Sequence, residues 1–156
     1  VDAAWVPEPW GARLVHEAGG VIVLDERDIW PGGQFVTAHV IVSTRFLRQH
    51  PDLVRRWLQA HVSVTEWINS HPSEAKALLN REIERLTGKA LSPAVLDDAF
   101  ERLDVTYDPI RSSLQTSADW AFEAGFLGST KPDLSGIYDL KLLNDVLRDR
   151  GLPTIP

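Results

Sequence analysis

From about residue 52 onward, the apolar positions recur at the three-to-four spacing of helices. Between 52 and 70 the buried-face positions are Leu53, Val54, Trp57, Leu58, His61, Val64, Trp67 and Ile68. That spacing predicts one long helix with a single broad apolar face. Pro51, Pro72, Pro93 and Pro109 each stand where a helix would begin, because the first helical turn does not need the missing N–H. Ser92 and Asp108 are placed to cap the helices that follow Pro93 and Pro109. Further helices are expected over residues 75–86, stopped by Gly88, over 93–103 and over 110–126. In the last of these, Ala118, Ala121 and Gly125 are expected to allow close packing. A final helix is marked by Leu140, Leu143, Val146 and Leu147 and ends before Gly151.

The first 43 residues have a different pattern. Residues 1–6 read as a short strand, Pro7-Glu8-Pro9 as a turn, and the residues after it as a helix with Pro9 at its first position. Glu8 lies beside the positive end of that helix, where an acid is favoured. Gly19-Gly20 would stop it, and Val21-Ile22-Val23-Leu24 reads as a buried strand. Residues 25–34 form a link, with Trp30-Pro31-Gly32-Gly33 as a turn. Residues 35–43 are rich in β-branched side chains and predict a strand, with Thr37 and His39 on one face and Val36, Ala38 and Val40 on the other. Trp5 and Trp10 flank the first turn. For Trp5 and Trp30 the expectation is core packing. A strand, a turn carrying an indole and a helix start with free N–H groups together suggest a binding cleft in an α/β protein.

The totals narrow the function. The formal net charge of the 156 residues is −6 and no run of lysine or arginine stands out, so nucleic acid is not expected as a partner. With no cysteine, disulfides, thiolate chemistry and cysteine-based zinc sites are excluded. No apolar stretch approaches the roughly 20 residues of a membrane span. The chain contains no methionine and opens directly on Val1-Asp2, which reads as a piece of a longer polypeptide.

No constellation of catalytic residues is legible. Among His16, His39, His50, His61 and His71, none forms the i, i+4 pair with a glutamate that a zinc protease needs. His50 and His71 each precede a helix-starting proline and read as structural, and His61 falls on an apolar helix face. For His39, beside Thr37, structural and ligand-facing roles stay open. There is no Gly-x-Ser-x-Gly elbow and no glycine-rich phosphate loop ending in Lys-Ser or Lys-Thr. Asp97 and Asp98 point apart on a helix and read as a solvated face. No metal and no cofactor is expected, and the absence of an assembled acid, base and nucleophile weighs against an enzyme.

Several separate stretches carry a family resemblance. Val1-Asp-Ala-Ala-Trp-Val-Pro-Glu-Pro-Trp10 resembles a stretch of the extracytoplasmic substrate-binding proteins of ABC importers, in the branch for nitrate, taurine and aliphatic sulfonates. Residues 29–43 are similar to the strand that returns between lobes in that branch, and residues 45–54 to its following helix pair. Residues 114–119 and 136–144 are similar to its closing segments. The resemblance implies a two-lobed α/β fold of the periplasmic-binding-protein type, represented here by a mostly helical C-terminal half with about three strands. Residues 1–33 would finish the second lobe and residues 34–156 would supply the C-terminal part of the first. The remaining half, with the signal peptide and half the ligand contacts, would belong to the same polypeptide. The strand at 34–43 would then lack its neighbours, an open edge prone to swapping or aggregation.

The same resemblance implies a function. A small anion such as a sulfonate, taurine or nitrate would be captured between lobes and delivered to a membrane permease, at the periplasmic or extracellular face of the membrane, with a lipid anchor as one means of attachment. The expected ligand-binding residues are Glu8, Trp10, Gly11, Gln34, Thr37 and His39. Trp10 would pack on the ligand's alkyl part, and the N–H groups of Gly11 and Ala12, with Thr37 and His39, would bond its oxygens. Glu8 would either cap the helix or meet an amine on the ligand. Two alternatives share the architecture: a thiamin pyrimidine synthase-like enzyme and the ligand-sensing domain of a transcription regulator.

Overall fold

The computed structural model describes residues 1–156, and it is built from helices alone: α1 (Trp10–Ala18), α2 (Thr44–Gln49), α3 (Pro51–Ser70), α4 (Pro72–Thr87), α5 (Pro93–Glu101), α6 (Arg111–Glu123) and α7 (Lys141–Asp149), with short 3-10 turns at Glu26–Asp28 and Pro31–Gly33. The chain divides into two compact units. The first comprises Val1–Asp25 and Val64–Thr106, the second Glu26–Ser63 and Tyr107–Pro156. No helix is long and apolar enough to cross a membrane.

α3, α4 and α5 begin at the prolines that mark them in the sequence, whereas Pro9 lies one residue before α1 and Pro109 two before α6, which ends at Glu123. Pro72 and Pro93 open α4 and α5, and the Ser92 hydroxyl accepts the Val95 N–H at 3.3 Å. Gly19 and Gly88 close α1 and α4 in the left-handed conformation, with φ of 68° and 79°, which glycine reaches without the steric cost of a Cβ. Ser43, expected at the end of a strand, instead caps α2 by accepting the Phe46 N–H at 3.1 Å. The cap of α6 differs from expectation. Ile110, not Asp108, holds the cap position, at φ 42°. This is an unusual conformation for a β-branched residue, and three bonds fix it. The Asp108 carboxylate accepts the Ile110 N–H at 2.8 Å, and the Ile110 carbonyl accepts both the N–H and the hydroxyl of Ser113 at 2.8 Å.

The expected α/β class with about three strands is overturned: the chain has no strand. Residues 1–6, 21–24 and 35–43 are extended or irregular. The physical reason lies in what a strand requires. β-branched residues favour a pleated surface that is paired and half buried, and a ladder needs a neighbouring segment to take its N–H and C=O groups. Here no neighbour is supplied. Val21 and Val23 are 83 % and 94 % exposed and Ile41 is 89 % exposed, so the side chains meant for a sheet interior face water. The 35–43 segment is tied down by side chains instead: the Val36 N–H donates to the buried Ser113 hydroxyl at 3.2 Å. Trp5, expected in a core, is 76 % exposed. Trp30 does pack, with its ring 5.2 Å from Phe35 and 4.8 Å from Trp120, and its indole N–H bonds Glu26 at 2.8 Å. Gly125, expected to allow close packing, is exposed at φ 81° and lies just past α6 as a helix stop.

Each unit has its own small core. In the first, α1 and α4 pack on α5, with Ala12, Val95 and Ala99 buried together and Leu91 against them. In the second, Val62 of α3 packs with Leu143, Val146 and Leu147 of α7, covered by Leu58, Tyr107, Leu140, Leu152 and Ile155.

Candidate functional site

In the first unit, Glu8, Trp10 and Gly11 sit together at the start of α1. The Glu8 side chain is 11 % exposed. One carboxylate oxygen accepts the Ala12 N–H at 3.1 Å, and the other accepts from the Arg102 guanidinium at 2.9 Å. Arg102 donates its other arm to Asp98 at 2.6 Å, and the second oxygen of Asp98 meets His16 Nε2 at 3.1 Å. The result is a continuous chain Glu8–Arg102–Asp98–His16. Burial works against the Arg102 charge, but the bonds from Glu8 and Asp98 outweigh it and hold the guanidinium above its ordinary pKa. Of the two roles open to Glu8, the geometry takes the cap: the positive end of α1 already holds an anion of its own.

Gly11 is explained by the same contact. A Cβ there would lie 2.9 Å from the Glu8 carboxylate, so the missing side chain is the space into which Glu8 folds. Trp10 turns outward and is 53 % exposed, with the Arg13 guanidinium 4.7 Å from its ring centre.

In the second unit, Gln34, Thr37 and His39 are all exposed. His39 Nε2 lies 2.9 Å from the Tyr138 hydroxyl and 3.3 Å from the Pro109 carbonyl. When this nitrogen is unprotonated it accepts from Tyr138. When it carries a proton it donates, and the Tyr138 hydroxyl proton is released to point elsewhere. Burial, with the charge of Asp108, pushes the Tyr138 phenol up, and Arg111 pulls it partly back, so Tyr138 is a neutral hydroxyl across the physiological range. Tyr138 also lines a cavity of about 330 Å³ together with Arg111, Gln115 and Asp133.

Sequence reasoning missed His16, Asp98 and Arg102 around Glu8, and Pro109 and Tyr138 around His39. The i, i+4 spacing of Asp98 and Arg102 was a readable sign of a charge pair. Their joining to Glu8, 94 positions away from Arg102, was not. A second missed pattern concerns the histidines. His50, His61 and His71 each pack on an aromatic ring four residues earlier: Phe46 at 4.9 Å, Trp57 at 5.1 Å and Trp67 at 5.5 Å. Burial lowers the pKa of His61, which favours its neutral form. No group of three or more histidine, cysteine, aspartate or glutamate side chains is placed to hold a metal ion.

Comparison with known proteins fits the first part of the chain. No curated protein and no solved structure matches it. Residues 1–81 match the NMT1-like family, a stretch that covers more than half of the chain and contains all six expected ligand-binding residues. The chain therefore belongs to the NMT1-like family.

Proposed function

We propose that this chain is part of a solute-binding protein that captures a small anion, such as a sulfonate, taurine or nitrate, and delivers it to the permease of an ABC importer at the outer face of the membrane. No bond of the ligand is made or broken. The observation that carries this reading is the family match, which spans Glu8 to His39. The local geometry supports the following division of parts. In the first unit, the exposed Trp10 indole offers a flat apolar face to an alkyl group. Glu8 is committed to Ala12 and Arg102 and so does not confront the anion. In the second unit, the exposed Gln34, Thr37 and His39 present amide, hydroxyl and imidazole donors.

A thermal-shift screen with taurine, alkanesulfonates, nitrate, bicarbonate and thiamin precursors tests the proposal. A ligand at a hundredfold excess over its Kd adds about 2.7 kcal/mol, a rise of roughly 5–10 °C for a chain of this size. A shift with one of the anions, abolished by Thr37→Val and weakened by Trp10→Ala, is the expected result. A shift with a thiamin precursor and none with any anion would overturn it in favour of an enzyme.

A further inference from the structure

The 330 Å³ cavity of the second unit is not accounted for by the anion reading of residues 8–39, which it touches only through the Tyr138–His39 contact. Its lining carries one group of each charge. Arg111, the first residue of α6, is exposed and makes no ion pair. Asp133 is held ionised: the Ser135 N–H donates to one carboxylate oxygen at 2.9 Å and, with a further bond from Ser135, keeps its pKa below the usual carboxylate range. The carboxylate is exposed, and its two oxygens have acceptor capacity beyond the two bonds from Ser135. The lysine in the same loop, Lys131, does not neutralise Asp133, because it pairs with Asp119 at 2.9 Å.

The neutral groups fit between these charges. Gln115 donates its amide N–H to Asp119 at 2.8 Å, so its carbonyl oxygen remains to accept from a ligand. Tyr138 brings a neutral hydroxyl, and Leu114 and Leu134 supply apolar wall. The volume is at the small end of ligand cavities.

We infer that this cavity is a second binding site, specific for a small zwitterion: an amino acid or aminosulfonate whose acidic end meets Arg111, whose ammonium meets Asp133 and the Gln115 carbonyl, and whose short aliphatic stem lies against Leu114 and Leu134. A guanidinium and a carboxylate that share one cavity without pairing with each other suit a ligand carrying both charges. A simple anion would leave Asp133 repelling it, and a simple amine would leave Arg111 doing so.

The test is an NMR titration of the whole chain with taurine, β-alanine and glycine, alongside ethanesulfonate, propanoate and propylamine, which keep one charge each. The zwitterions are expected to shift the Gln115 side-chain amide and the backbone signals of residues 132–138, with the single-charge probes at least tenfold weaker. Arg111→Gln and Asp133→Asn, the latter retaining an acceptor for the Ser135 N–H, should each weaken zwitterion binding at least tenfold. Asp133→Asn should leave ethanesulfonate unchanged or tighter. Equal binding of zwitterions and single-charge probes, or no shift at 132–138 at millimolar concentrations, would overturn the inference, and the probe comparison on the unaltered chain decides this even where a variant is poorly folded. Tyr138 bonds His39 and would respond to either ligand, so the shifts at Gln115 and residues 132–135 are the ones that read this outcome separately from that of the anion screen.

Discussion

The two units use the same clasp around different interiors. In the first, Asn80 bonds both the N–H and the C=O of Leu91, at 2.8 and 3.0 Å. In the second, Asn144 does the same to Ile155, at 2.8 and 2.9 Å. In each case an amide on a helix imitates the edge of a sheet and captures a residue 11 positions later. What the clasp secures differs. Asn80 holds the lead-in to α5, whose buried Val95 and Ala99 cluster with Ala12 and Leu91, a core of mostly small side chains. Asn144 holds a tail whose Leu152 and Ile155 cover a larger apolar cluster. The first unit adds the Glu8–Arg102–Asp98–His16 chain at its edge, with Glu8 and Arg102 only 11 % and 20 % exposed, while the ion pairs of the second, such as Lys131–Asp119 and Lys141–Asp145, stand further out in water. The contrast teaches that a unit with a thin core draws part of its charge in from water, and one with a thicker core leaves its charges at the surface.

The comparison can be broken most sharply from the apolar side. Leu147 is completely buried, and Leu147→Ala should cost about 2–5 kcal/mol through lost transfer energy and the cavity left behind. Hydrogen exchange should show the loss in α7 and residues 58–62 at any ionic strength. From the charged side, Arg102→Leu strands Glu8 and Asp98, whose side chains are 11 % and 23 % exposed. It should cost about 1–3 kcal/mol, below the full penalty of a deeply buried pair because water still reaches the site. The loss should appear in α1 and α5, and raising salt should narrow the gap between variant and parent. A salt-independent Arg102→Leu effect would break the distinction. The smallest effect sharpens it. Gly11→Ala alone should bring no stabilisation, because the new Cβ displaces the Glu8 carboxylate. In a Glu8→Ala background the same change should stabilise by about 0.5–1 kcal/mol, the ordinary helix preference of alanine over glycine. Denaturation of the four proteins of that cycle measures the coupling.

The helices were legible because their signals are local. Proline at a start, serine before it and glycine at a stop act within one turn, and α3, α4 and α5 follow them within a few residues. The strands were misread because theirs are not. Val21–Leu24 and Val40–Val42 have strand composition, yet pairing depends on a neighbouring segment that composition cannot supply. Around the candidate site the local contacts were legible and the distant ones were not. Glu8 beside a helix start announced a cap, and the cap is there. Arg102, which fixes the carboxylate from 94 residues away, and Tyr138, which meets His39 from 99 away, could be found only by folding the chain.

The space at Gly11 has a consequence for how this chain can change by descent. Because the Glu8 carboxylate occupies the volume of a side chain at position 11, and Arg102 holds it there, the three positions are not free to drift singly. A lineage that loses the acid at position 8 gains freedom to place alanine at 11 and loses the reason to keep arginine at 102. An aligned set of relatives should show glycine, glutamate and arginine arriving and departing as a set, so that this small void is readable as correlated inheritance across nearly a hundred residues of sequence.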